Sequence, residues 1–173
     1  MRIPIAFALV LGAVMLLGHG TPAQPPQKKV PPSEKKVPLL EKKVLSLAAA
    51  RTMAEAAIKE AERNHWRGVV AVVDDGGWLI LLERMDHAAM TASVELAAGK
   101  ARTAALFKKP SQELEEAINH GRYAAITARG FIEMKGGFPV VIDGEVVGAI
   151  GASFATPEQD VKVAQAGLAA LTQ

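Results

Sequence analysis

The side chains with the most chemical potential in this 173-residue chain are His65, His87 and His120, with the cations Lys100, Arg102 and Arg122 near the last two. A neutral imidazole ligates iron and other transition metals, and guanidinium or ammonium groups take carboxylates and phosphates. The histidines are scattered. No two stand at the i,i+4 spacing by which one helix face holds a metal ion, so a three-histidine zinc centre is not expected. His65 falls at the end of a predicted helix, where positive charge is favoured. His87 and His120 fall in predicted loops, where functional side chains concentrate, and are the candidate metal ligands. Together these residue types suit an anionic small molecule with an optional metal centre.

Other chemistries are excluded by what is missing. With no cysteine in the chain, there is no thiol nucleophile, no thiolate-ligated zinc or iron–sulfur cluster and no covalently attached haem. Walker, G-x-G-x-x-G, H-E-x-x-H and G-x-S-x-G signatures are absent. Asp74-Asp75 stands before Gly76-Gly77 and reads as a hairpin turn rather than a carboxylate pair. Gly136-Gly137 either lets a ligand approach the backbone or bends the chain before Phe138-Pro139.

The charge is divided between segments. Lys and Arg number 20 against 18 Asp and Glu, a formal +2. Residues 1–23 combine Arg2, an apolar stretch from Ile3 to Leu17, and Thr21 and Ala23 at the small-residue positions of a cleavage site, the pattern of a signal peptide for export. Residues 24–43 repeat Lys-Lys-Val units with six Lys and two Glu. Their prolines forbid a coiled coil, and an extended tether is expected. Residues 44–173 then hold 13 Lys and Arg against 16 Asp and Glu. An acidic domain gives no reason to expect nucleic-acid binding.

These groups must be positioned by elements legible in the pattern. Ser46 caps a helix running to near Asn64, with Ala50, Met53, Ala57 and Ala61 on one face. Val69–Val73 and Trp78–Leu82 form a hairpin expected to be buried on both faces or nearly so. An Ala-rich helix follows from Ser93 to Phe107, its Gly99 suiting close packing on a sheet or another subunit. A short helix runs from Pro110-Ser111 to near Ile118, and Arg122–Arg129 is ambiguous. Phe138–Ile142 and Glu145–Gly151 pair across Asp143-Gly144. Thr156-Pro157-Glu158-Gln159 opens a final helix to near Leu171 as a capping box. Hairpin-linked strands among helices make one α+β domain with an antiparallel sheet.

Several motifs in order, Ala71-Val-Val-Asp74 with Gly76-Gly77, Arg84-Met-Asp86, Gly99-Lys-Ala-Arg-Thr-Ala104, Gly136-Gly-Phe-Pro139, Asp143–Gly151 and Thr156–Asp160, resemble the GlcG/HbpS-like family, also called haem-degrading or DUF336. The match spans residues 45–171. It implies a profilin-like α+β fold, an antiparallel sheet of about five strands flanked by helices, assembled into homo-oligomers. It also implies non-covalent haem binding for sensing, sequestration or storage, in some relatives beside a sensor-protein partner, with cobalamin as an alternative cofactor. On that reading His87 or His120 is the axial ligand and Lys100, Arg102 and Arg122 meet the propionates. Phe131 and Phe138 contact the ring, and Gly136 and Gly137 let it approach. Enzymatic action on haem or a small anionic metabolite, and a cofactor-free structural or sensory oligomer, are the alternatives. The expected location is periplasmic or extracellular, with no transmembrane span left after signal cleavage.

Overall fold

The computed structural model describes residues 38–171. The expected signal segment, and the tether up to residue 37, lie outside the described residues. The compact unit begins at Leu40. Its elements are α1 (Leu47–Arg63), β1 (Val69–Asp74), β2 (Leu79–Arg84), α2 (Ser93–Phe107), α3 (Ser111–Asn119), a 3-10 turn (Tyr123–Thr127), β3 (Gly137–Ile142), β4 (Glu145–Ser153) and α4 (Pro157–Ala169). The α+β expectation holds. The sheet has four strands among the described residues rather than about five, all antiparallel in the order β2-β1-β4-β3.

Strand periodicity explains the layers. Successive side chains of β1 point to opposite faces. Val70 and Val72 join Met53, Ala57, Ile150 and Val163 in the core beneath α1 and α4. Val69, Ala71 and Val73 face α2 and meet Ala97, Ala101 and Ala104. A central strand covered on both sides must therefore be apolar throughout, and each fully buried valine stabilises the fold by roughly 1.5–3 kcal/mol. The expectation of two-sided burial fails for β2. It lies at the sheet edge, half-buried in its interior and exposed at Leu79 and Arg84. With a neighbouring strand on one side only, its apolar run is less completely covered.

Small residues let α2 approach the sheet at backbone distance. A Cβ on Gly151 of β4 would lie 2.2 Å from the Ala97 carbonyl oxygen. One on Gly99 would lie 2.2 Å from Ile132 Cγ1. The packing read from Gly99 is thus made within the domain.

The caps are largely those expected. Ser46 accepts from the Ala49 amide at 3.2 Å, and Thr156 from the Gln159 amide at 3.4 Å. Gln159 reaches back one residue further than a capping box requires, accepting from the Ala155 amide at 3.1 Å. Helix α3 ends in a Schellman motif, with the Arg122 amide bonded to the Ala117 carbonyl and the Gly121 amide to the Ile118 carbonyl, Gly121 taking φ 98°.

The chain enters the compact unit along its hairpin turns. Lys42 donates to Asp75 at 2.8 Å in the β1–β2 turn, and Lys43 pairs with Asp143 in the β3–β4 turn. The Leu45 amide bonds to the Val147 carbonyl at 3.0 Å. Leu45 and Leu171 line one apolar cavity of about 330 Å³. No described helix is long and apolar enough to cross a membrane.

Candidate functional site

The end of α2, helix α3 and the 3-10 turn enclose a cavity of about 360 Å³. Phe107, Leu114, Ala124, Ala125 and Ala128 supply its apolar lining, with Thr127, Arg122, Lys109 and Glu133 as the polar groups. Local sequence explains the walls. Lys108 turns left-handed (φ 56°) and ends α2, and Pro110 ahead of α3 sends the chain back across its end. The buried Ser111 hydroxyl donates to the Met134 carbonyl (2.6 Å) and accepts from the Gly137 amide (2.9 Å). Glu115 accepts from the Lys135 amide at 2.6 Å. These bonds tie α3 to Met134 and Lys135 and to Gly137 at the start of β3. The Schellman turn sets Arg122 at the cavity wall.

His120 is the C-cap of α3, two residues before Arg122. Its Nδ1 lies 2.7 Å from the Glu116 carbonyl oxygen. A carbonyl only accepts, so that contact is made by the tautomer with hydrogen on Nδ1, which leaves the Nε2 lone pair free for a metal. This is the polarity by which metal-binding imidazoles are commonly oriented.

His87 is elsewhere. It lies beyond the edge strand β2 and lines a cavity of about 410 Å³ with Ile58 and Glu62 of α1 and Arg67, Glu83, Arg84, Met85 and Asp86. Helix α3, carrying His120, packs against α2 and the opposite edge strand β3. The two candidate ligands therefore do not share a site. The His87 cavity is also lined by three carboxylates against two guanidiniums, an unfavourable balance for an anion, whereas Arg122 and Lys109 outnumber Glu133 in the other. Among the described residues, no group of three or more histidines and carboxylates could hold a metal ion.

The remaining candidates separate in the same way. Arg102 and Phe131 come together, the guanidinium carbon 5.9 Å from the Phe131 ring centre and 5.4 Å from that of Trp78. Phe131 meets Phe107 edge-to-face at 4.9 Å, which joins this stack to the cavity wall. Lys100 is only 2% exposed and pairs with Asp160 at 2.5 Å. Asp160 also accepts from the Phe154 amide at 2.5 Å, and burial pushes its carboxyl above the usual value despite Lys100. The groups approaching Gly137 are the Lys100 carbonyl and Ser111 hydroxyl, and Gly136 packs on Asp160. Phe138 belongs to the core under α1 and α4. Beyond the Lys108-Lys109-Pro110 stop after an aromatic residue, no motif or spacing in the sequence marks Phe107, Trp78, Lys109, Leu114 or Glu133 as site residues.

Residues 45–169 match the family model described as haem degrading protein HbpS-like. The chain belongs to the HbpS-like family. Among relatives of this HbpS-like chain, protein GlcG of Escherichia coli K12 is 43% identical over 109 residues, 63% of this chain and 81% of GlcG. The crystal structure of a double mutant of Streptomyces reticuli HbpS is 31% identical with a TM-score of 0.75, covering 82% of this chain and 97% of that one. A crystal structure of a PduOC–haem complex is 30% identical with a TM-score of 0.68, over 73% of this chain and 94% of that one.

Proposed function

We propose that this HbpS-like protein is exported and binds haem non-covalently, for sensing, sequestration or storage, in the cavity between α2, α3 and the 3-10 turn. The observation that carries the reading is the apolar lining of this cavity with Arg122 and Lys109 in its wall; His120, outside that lining and two residues before Arg122, has its Nδ1 tied to Glu116. A flat dianionic macrocycle needs an apolar slot, a few cations for its carboxylates and an axial ligand. Haem binding in a relative supports the same class of ligand here. Arg122 and Lys109 would hold the carboxylates and His120 Nε2 would ligate the iron, whose metal chemistry haem would supply when bound. The pattern of residues 1–23 supports export.

Hemin titration of the purified protein tests the reading. A shifted, saturable Soret band at micromolar protein is expected, altered by His120→Ala and retained in His87→Ala. An unshifted spectrum, or one indifferent to both substitutions, would remove histidine-ligated haem. Cobalamin in a parallel titration tests the corrinoid alternative by its own absorbance bands.

A further inference from the structure

We infer that residues 123–130 form a gate over this cavity, opening between two fixed posts at Arg122 and Ile132, so that ligand enters and leaves through it. The inference rests on the proposed site but on separate observations. One post is the Schellman turn, which bonds the Arg122 amide to α3 at 3.0 Å. The other is the Ile132 amide, which donates to Thr103 Oγ1 of α2 at 2.9 Å. Between them the chain bonds only to its own neighbours. The Ala125 amide donates to Arg122, the Ala128 amide to Ala125, and the Thr127 hydroxyl to Ala124.

None of residues 121–130 is buried, and Tyr123 and Ile126 are 65% and 64% exposed. Yet the inner side of the same segment, Ala124, Ala125, Thr127 and Ala128, is a wall of the cavity. Gly130 takes φ 85° with nothing within 4 Å of where a Cβ would sit. Glycine is therefore required there by backbone conformation and not by crowding. Few buried apolar contacts and only local hydrogen bonds mark the segments that open well below global unfolding. The resting cavity, about 360 Å³, is near the lower end of the roughly 300–1,000 Å³ of small-molecule sites. Admitting a large flat ligand requires a wall that yields, and this wall is tied by local hydrogen bonds.

Native-state hydrogen exchange of the ligand-free protein, read by peptide mass spectrometry, tests the gate without haem. Amides of 123–130 should exchange at least about 100-fold faster than those of α2. Exchange as slow as α2 would overturn the inference. Gly130→Ala, which forces a left-handed alanine into open space, should raise opening about tenfold. Hemin dissociation, followed by transfer to apomyoglobin, should accelerate by a similar factor, with exchange in β1 unchanged. Faster exchange with unchanged dissociation would show that ligand leaves by another route and would also overturn the gate. Should hemin not bind at all, the haem reading fails, and the exchange comparison alone decides the gate.

Discussion

Lys100 of α2 and Asp160 of α4 meet at 2.5 Å although their helices cover opposite faces of the sheet. The ammonium also donates to the Ala152 carbonyl at 3.4 Å, and the second carboxylate oxygen holds the Phe154 amide that leads into α4. One ion pair thus joins both helical layers and the β4 strand between them.

Breaking that pair from one side should be severe. Lys100→Met leaves a buried carboxylate without its cation, and loss of about 3–5 kcal/mol in urea unfolding is expected. Lys100→Met with Asp160→Asn should recover part of the loss, because the amide keeps an acceptor for Phe154 without a charge. A single variant within 1 kcal/mol of wild type, on the order of a surface change, would show the pair to be dispensable.

Acid should weaken the protein partly through Glu60. Burial alone would push its carboxyl up, but hydrogen bonds from Lys162, Asn64 and Arg63, with the Arg63 charge, outweigh burial and hold it below the usual value. A lowered carboxyl pKa contributes stability that is present above the unfolded value, 4.5, and lost as pH falls through the folded one. Asp160 has the opposite sign, because its raised carboxyl favours the protonated folded form and works against the native state above its folded pKa. Thermal melts between pH 7 and pH 3 should therefore show a shallower acid decline for Glu60→Gln than for wild type. An identical slope would remove Glu60 from the account.

Gly137→Ala should destabilise by about 1–3 kcal/mol, the usual cost of overpacking, since its Cβ would stand 2.2 Å from the Lys100 carbonyl oxygen. The clash is with backbone, which cannot rotate away. Chemical denaturation gives the value directly, and a neutral outcome would mean that α2 shifts freely on the sheet.

Arg122→Gln should weaken porphyrin binding about tenfold or more, because a hydrogen bond to a charged group is worth roughly 1.5–3 kcal/mol. Metal-free protoporphyrin is the informative ligand, as it keeps the carboxylates and removes the iron. A parallel loss for protoporphyrin and hemin, read by quenching of Trp78 and Trp66, is expected. A loss confined to hemin would assign Arg122 a different role.

Much of the framework is written locally and was legible. Ser46 and Thr156 cap the helices they were expected to cap, and α2 spans Ser93–Phe107 as read. Asp143 and Gly144 both take positive φ in the β3–β4 turn, which Asp-Gly chemistry announces. Partnerships distant in sequence were not legible. Residue type placed Lys100 among the anion binders, and nothing in its neighbourhood reveals a carboxylate 60 positions later. The edge position of β2 depends on strand order, which an apolar run does not encode. The Arg122–Arg129 segment stayed ambiguous because its small residues cover a cavity instead of a core, so neither helical nor strand periodicity develops. Residue type alone points to His120 and Arg122. Their placement at the end of α3 comes from a turn whose bonds no spacing rule displays.

The shared cavity of Leu45 and Leu171 brings the two ends of the folded unit side by side. A domain whose ends meet tolerates having them fused and being reopened elsewhere, provided the new break falls in exposed chain with few bonds to the body. Here a circular permutant joined across that cavity and opened at the exposed Asp86 and His87 after β2 would keep every sheet pairing, and would place its new termini at the end of that strand opposite the turn that Lys42 meets.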